Sequence, residues 1–318
     1  MEDNPLAAFL KRGTIVLDAG LATALESKGC DLDDDLWSAR ALLDSPELVR
    51  QVHTEFLAAG ADCIASVTYQ ATLRGLRKSG LSEDTGIALL RSAVGLACEA
   101  RDAFWNDHAN RKGRLRPLAA ASIGPYGAFL ADGSEYTGDY ELDVGELYEF
   151  HVQRWSFFAA GEADLLACET IPSLTEAEAL LRLLDETPER WAWLSFSCRD
   201  EAHLSDGNAF ADAVQLCAQH SNVAAVGINC TAPALISPLI RIARSHTDQP
   251  ILVYPNSGER YDAGSRSWTS IAPELDWTAA ATEWIELGAS GVGGCCRTGT
   301  DEITRLRRLV ELRNASDA

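Results

Sequence analysis

Eight short apolar runs, each broken by Gly or polar residues and separated by stretches of helical spacing, constrain the fold of this chain more than any other feature. They cover residues 14–18, 62–66, 117–122, 164–169, 191–197, 223–229, 250–254 and 291–294. Such runs read as parallel strands buried on both faces. The segments between them carry helix signals. Ser45, Pro46 and Glu47 read as N-cap, first helical residue and dipole-favoured acid. Leu48, Val52 and Phe56 then share one face, and Gly60 is placed as the stop. Thr175 to Glu178 has capping-box spacing, and Asp276 is placed to cap a helix that carries Trp284 and Leu287 and stops at Gly288. Strands alternating with helices in this way predict an α/β fold, a single (β/α)8 TIM-type barrel domain over residues 1–318. A doubly wound sheet is the alternative, weakened because no Gly-x-Gly-x-x-Gly follows the first run. Two connections, 124–142 and 256–275, are long. They add chain to the rim at the strand C-termini, where barrels carry their active sites.

Composition narrows the partners. A formal charge of −20, without any Lys/Arg-rich stripe, disfavours nucleic acid and anionic membrane and leaves small molecules as ligands. No apolar stretch approaches the ~20 residues that span a bilayer. Nine cysteines, an odd number, behind an acidic and polar N-terminus argue against a secreted disulfide scaffold. The expectation is a soluble protein of a reducing cytoplasm.

The strand tips form a coherent set. Asp18 ends the first run, Thr68 follows the second, Ser122 ends the third and Glu169 the fourth. Asn229 and Cys230 end the sixth, Ser257 follows the seventh, and Cys295 and Cys296 follow the eighth. Two strand ends on one rim would gather the thiols of Cys230, Cys295 and Cys296. Three soft thiolates select zinc and leave a fourth tetrahedral position open. Cysteine is also a small buried hydrophobe, and the close-spaced Cys-x-x-Cys signature is absent, so spacing alone leaves both readings open. Cys168 and Cys198 are rivals because they too lie at strand ends. Strand alternation puts Cys168 and Glu169 on opposite faces, and Glu169 is the one expected inside. None of the six histidines lies at a strand tip, which weakens a barrel metallohydrolase.

The motifs Asp18-Ala-Gly20, Ser66-Val-Thr-Tyr-Gln-Ala71, Ser122-Ile-Gly-Pro-Tyr-Gly127, Glu169-Thr-Ile-Pro172, Gly227-Ile-Asn-Cys230, Tyr254-Pro-Asn-Ser-Gly-Glu259 and Gly293-Gly-Cys-Cys296 resemble the homocysteine S-methyltransferase family over nearly the whole chain. The resemblance implies a (β/α)8 barrel with zinc (Zn2+) held by Cys230, Cys295 and Cys296, and homocysteine held through Asp18 and Glu169. It also implies a small soluble methyl donor, S-methylmethionine ahead of S-adenosylmethionine, since no Asp-x-His-x-x-Gly cobalamin-type motif is present. A betaine-dependent enzyme and a non-catalytic zinc- or thiol-binding barrel are the alternatives. Within this reading Asn229, Ser257, Thr68 and backbone N–H groups near Gly20 are further substrate contacts. Tyr126, Phe129 and Tyr136 of the long third loop are candidates to face a sulfonium by cation–π contact.

Overall fold

The computed structural model describes residues 3–30, 38–262, 267–269 and 275–316. Eight parallel strands form one sheet. They are β1 (Ile15–Val16), β2 (Cys63–Ala65), β3 (Leu118–Ile123), β4 (Leu165–Ile171), β5 (Ala192–Phe196), β6 (Val223–Asn229), β7 (Ile251–Tyr254) and, last in the chain, β10 (Gly291–Val292). A separate antiparallel hairpin, β8 (Arg260–Asp262) and β9 (Ser267–Thr269), lies in the connection after β7. The remainder of that connection, 263–266 and 270–274, lies outside the described residues.

The sheet runs β2 to β7 in chain order, then β10, then β1. First and last strands are therefore neighbours, with Ile15 opposite Gly291, which is barrel order and not the doubly wound alternative. The seam between β1 and β2 is stitched differently from the rest. It has one bridge, Leu17 to Cys63, and a backbone bond from Asp62 N to Val16 O at 2.6 Å. Two side-chain carboxylates complete it: Asp62 Oδ2 accepts from Val16 N at 3.0 Å, and Asp18 Oδ2 accepts from Ala65 N at 2.7 Å.

Alternation along the strands divides the core into two layers. Ile15, Leu17, Leu118, Ala120, Leu165, Ala167, Trp193 and Leu252 form the inner cluster. Leu6 and Phe9, on either side of the start of the helix Ala7–Leu10, belong to it as well. Val16, Ala119, Ala121, Leu166, Cys168, Leu194 and Val253 face outward into the layer shared with the helices. Burial of this apolar area stabilises the barrel at roughly 25 cal/mol per Å2.

The helices follow their capping chemistry with two adjustments. The helix Pro46–Ala59 starts and stops where expected, at Ser45 and Gly60, but the Ser45 hydroxyl accepts no cap bond. The helix Leu174–Asp185 is capped by Ser173, which accepts from Glu176 N, and not by Thr175. Asp276 caps as expected, accepting from Thr278 N and Ala279 N at 3.1 Å each. The long connection after β3 is itself structured, with a helix Tyr126–Leu130 and a 3-10 turn Ser134–Tyr136.

Candidate active site and metal centre

The chain leaves β6 through Cys230, a non-glycine residue in the left-handed region (φ 48°). Its N–H still bonds Tyr254 O at 3.2 Å, so the turn comes while the residue is tied to the neighbouring strand. Beyond β10, Gly293 N bonds Val253 O, Gly294 N bonds Asp18 O and Cys295 N bonds Pro255 O, at 2.8–3.0 Å. Gly20 is required here, because a Cβ there would stand 2.4 Å from Cys295 O. Thr298 Oγ1 donates to that same carbonyl at 2.6 Å and locks the turn.

The result is a thiol cluster. Cys230 Sγ lies 2.9 Å from Cys295 Sγ and 3.4 Å from Cys296 Sγ, and all three sulfurs fall within 4.8 Å of one another. No other such group of potential metal ligands occurs among the described residues. Hydrogen bonds from Cys295 and then Cys296 hold the Cys230 thiol well below its usual range, and the same bonds to Cys230 hold both partners up. Zinc–sulfur bonds of ~2.3 Å in a tetrahedron imply sulfur separations near ~3.8 Å. The present spacings are tighter by less than about 1 Å, so an ion would be accommodated by a small outward movement of side chains. The donor set and its convergence fit a soft divalent metal. The rivals do not join it: Cys168 is fully buried in the outer layer, and Cys198 is buried in the same apolar cluster. Burial pushes both thiols well above their usual range.

Two carboxylates border the cluster. Asp18 is held well above the usual carboxylate range by burial, against the opposing pull of the Ala65 N–H, with the charge of Glu169 adding to the rise. Glu169 is pushed up to about 7, chiefly by burial, although Ser122 Oγ donates to it and the Tyr254 hydroxyl also opposes the rise. Tyr254 is in turn fixed by Trp193 Nε1 at 3.0 Å, and its hydroxyl donates to Ser195 Oγ at 2.7 Å. No basic side chain among the described residues pairs with either carboxylate. A buried carboxyl in that condition takes up a proton or a cation.

The other expected contacts divide. Asn229 is fully buried, with its Oδ1 accepting from Thr170 N at 2.7 Å and its Nδ2 donating to Thr170 Oγ1 at 2.8 Å. It holds Thr170 in the left-handed conformation (φ 60°) that follows Glu169, and its Nδ2 lies 3.9 Å from Cys295 Sγ. Thr68, fully buried, donates to Ser122 O at 2.7 Å, which ties the β2 and β3 tips together. Ser257 is half-buried; its N–H bonds Cys296 O at 3.1 Å and its hydroxyl accepts from Glu259 N at 3.3 Å. Of the three loop aromatics, Tyr136 alone reaches the thiols, its hydroxyl 3.7 Å from Cys230 Sγ. Tyr126 and Phe129 instead stack with Phe150, and Lys78 lies 4.5 Å over the Phe129 ring.

A network that sequence reasoning missed holds this loop. Glu176, fully buried, accepts from Tyr126 N at 2.6 Å and from the Tyr140 hydroxyl, and pairs with His151 Nε2 at 2.7 Å. Arg154 donates to His151 Nδ1 at 2.8 Å and to the carbonyls of Gly124 and Tyr69. Burial and the Arg154 charge hold His151 down to about 4, so its ring is neutral. The loop also carries Glu135, which sequence reasoning did not single out; the available signal was an acidic-aromatic pair between Gly133 and Gly138.

Comparison with known proteins follows this geometry. The family model described as homocysteine S-methyltransferase matches residues 15–310. The chain is 50% identical over 304 residues to homocysteine S-methyltransferase YbgG of Bacillus subtilis (strain 168), covering 95% of this chain and 96% of that protein. It is 44% identical to the homocysteine S-methyltransferase of Escherichia coli (strain K12), covering 96% and 98%. The crystal structure of the metallated form of the homocysteine methyltransferase MmuM from Escherichia coli superposes with a TM-score of 0.86 at 42% identity, covering 96% of this chain and 99% of that one. With its barrel and rim in place and a family match over most of its length, the chain belongs to the homocysteine S-methyltransferase family and is an enzyme of that class.

Proposed function

We propose that this enzyme moves a methyl group from a sulfonium amino acid, S-methylmethionine ahead of S-adenosylmethionine, to the thiol of L-homocysteine, with zinc held by Cys230, Cys295 and Cys296. The observation that carries the reading is three thiols within 4.8 Å of one another beside two carboxylates without a basic partner. A free thiol has a pKa near ~8.5 and is mostly protonated at neutral pH. Zinc bound by three cysteines would supply the Lewis acidity that keeps the substrate thiol deprotonated.

The residues of the chain do the rest. Asp18 and Glu169 hold the homocysteine ammonium, which offsets the cost of keeping two carboxylates ionised side by side. Ser257 and backbone N–H groups near Gly20 receive its carboxylate. Asn229 and Thr68 act one step back, Asn229 by fixing Thr170 beside Glu169 and Thr68 by fixing Ser122 against it. In the transfer, the homocysteine sulfur pair forms the new S–CH3 bond. The donor's S–CH3 bond breaks with its electrons returning to the donor sulfur, and the thiol proton has already gone to solvent. A thiolate and a sulfonium become two neutral thioethers, so no proton need be delivered to the leaving group. The barrel's contribution is alignment and exclusion of water.

Competition tests the reading: purified, zinc-loaded enzyme with homocysteine and equal S-methylmethionine, S-adenosylmethionine and betaine, each carrying a distinguishable methyl label. Label should reach methionine chiefly from S-methylmethionine. Dominance by betaine would overturn the donor class, and absence of transfer from all three would favour a barrel that binds without catalysing.

A further inference from the structure

Glu135 is the one carboxylate among the described residues with a buried oxygen, Oε2, that has no hydrogen-bond partner. Its own backbone N–H serves the carboxylate, so only one side is satisfied. The residue is held in place from three directions. Asp132 Oδ1 accepts from Ser134 N at 3.0 Å and fixes the turn's entry. Ser197 Oγ donates to Glu135 O at 3.2 Å. Gly127 allows the helix Tyr126–Leu130 to lie directly on the turn, since a Cβ there would stand 2.3 Å from Glu135 N. An unsatisfied carboxylate so firmly placed is costly unless something charged completes it.

Its surroundings say what. Cys230 and Asp132 are the charged groups that act most on Glu135, whereas Glu169 acts on Asp18, and Cys230 acts on Glu169 as well. Tyr69 and Tyr136 feel both Glu135 and Cys230, and the Tyr136 hydroxyl is 3.7 Å from Cys230 Sγ. Glu135 therefore belongs to a second polar group at the thiol cluster, separate from the Asp18–Glu169 pair. Burial raises its carboxyl to about 7, a condition a docked cation relieves.

We propose that Glu135 is the cation-binding residue of the methyl-donor subsite, and that it takes the sulfonium charge with Tyr69 and Tyr136 beside it. This rests on the sulfonium-donor reading above. The transferred methyl has to lie within about 3–3.5 Å of a sulfur at the thiol cluster, so the sulfonium sulfur, one C–S bond farther along the same line, lies about 5 Å from that acceptor. The donor's ammonium is several bonds farther away. A sulfonium also has no N–H to donate, so it suits a carboxylate oxygen approached by charge alone. Its charge vanishes as the methyl leaves, so Glu135 stabilises the bound donor more than the transition state.

That asymmetry makes the test specific. Glu135→Gln should raise the KM for S-methylmethionine roughly tenfold or more while kcat is unchanged or higher. The KM for homocysteine and the metal content should stay at wild-type values. The carbon isostere 2-amino-5-methylhexanoic acid, which keeps the amino-acid end and lacks the sulfonium charge, should inhibit wild type and Glu135→Gln equally. Glu135→Asp should recover part of the lost donor affinity, separating charge from packing. An unchanged S-methylmethionine KM in Glu135→Gln, or equal weakening of donor and isostere, would overturn the proposal while leaving the donor reading intact. Wild-type enzyme that neither binds nor uses S-methylmethionine would overturn both.

Discussion

Asp62 and Asp18 stitch opposite ends of the same seam, yet Asp62 has two arginines and Asp18 has none among the described residues. At the N-terminal end, Arg307 Nη2 lies 2.5 Å from Asp62 Oδ2 and Arg114 Nη2 lies 3.7 Å from Oδ1. Asp164, opening β4 at the same end, has Arg101 at 2.6 Å and Arg116 at 3.5 Å. At the C-terminal end, Asp18, Glu169 and Glu135 are all pushed above the usual carboxylate range, with burial the largest cause in each case. One end uses carboxylates as finished structure and the other leaves them short of a cation. The first end serves stability, and the second is the end to which we assign recognition.

The largest effect should come from the thiols that the unpaired carboxylates surround. Cys230→Ser, Cys295→Ser and Cys296→Ser should each lose bound zinc and at least about a hundredfold in activity, since even indirect partners of a metal ligand cost ten- to hundredfold. Cys98→Ser, outside the cluster, should lose neither. Metal analysis beside turnover decides this, and full zinc in the Cys295 or Cys296 variant would dissolve the proposed ligand set.

Asp62→Asn tests the finished end. It leaves Arg307 and Arg114 facing a neutral group and should cost about 3 kcal/mol in urea unfolding, with KM values unchanged in the folded enzyme. A comparable loss from Asp18→Asn would break the contrast between the ends. Asp18→Asn and Glu169→Gln should instead weaken homocysteine binding by roughly ten- to hundredfold, the worth of a charge-assisted hydrogen bond, with zinc retained.

The smallest effect sharpens any comparison made by titration. His53 is fully buried, neither ring nitrogen has a partner among the described residues, and burial holds it down to about 4. Its folded pKa lies below the unfolded value of 6.5, so its contribution to stability is present above 6.5 and is lost as pH falls toward 4. Wild type should therefore lose about 1 kcal/mol more than His53→Leu between about pH 7.5 and 5.5, as measured by denaturant midpoints. Equal loss in both proteins would show that His53 takes up its proton without cost.

Much of this was legible in the sequence because strand parity and strand ends are local. The eight runs gave the barrel, and Cys230, Cys295 and Cys296 converge because parallel strands deliver their C-termini to one rim. Parity likewise separated Glu169 from Cys168. What escaped depends on partners far away in the chain. Asn229 spends its amide on Thr170, 59 residues earlier, and Thr68 spends its hydroxyl on the Ser122 carbonyl, 54 residues on. Glu135 is placed by a loop whose anchors, His151, Arg154 and Glu176, belong to two later helices. No pattern within residues 124–142 encodes them.

On the homocysteine site proposed above, Asp18 has a second task besides the seam between β1 and β2. One of its oxygens holds the Ala65 N–H at 2.7 Å, in the place where a neighbouring strand's carbonyl would otherwise sit. Elsewhere in the cylinder, amide protons are held by ladders or by side chains such as Asp62 and Asn229, to which the proposed site gives no direct substrate contact. At Ala65 the shield is a side chain that a bound ammonium would also engage. Isotope exchange at that single amide should thus change when homocysteine enters, while the Ile64 and Val253 amides keep time with global unfolding. With that contact in place, the barrel wall would contain a natural gauge of its own occupancy, readable without a label and without turnover.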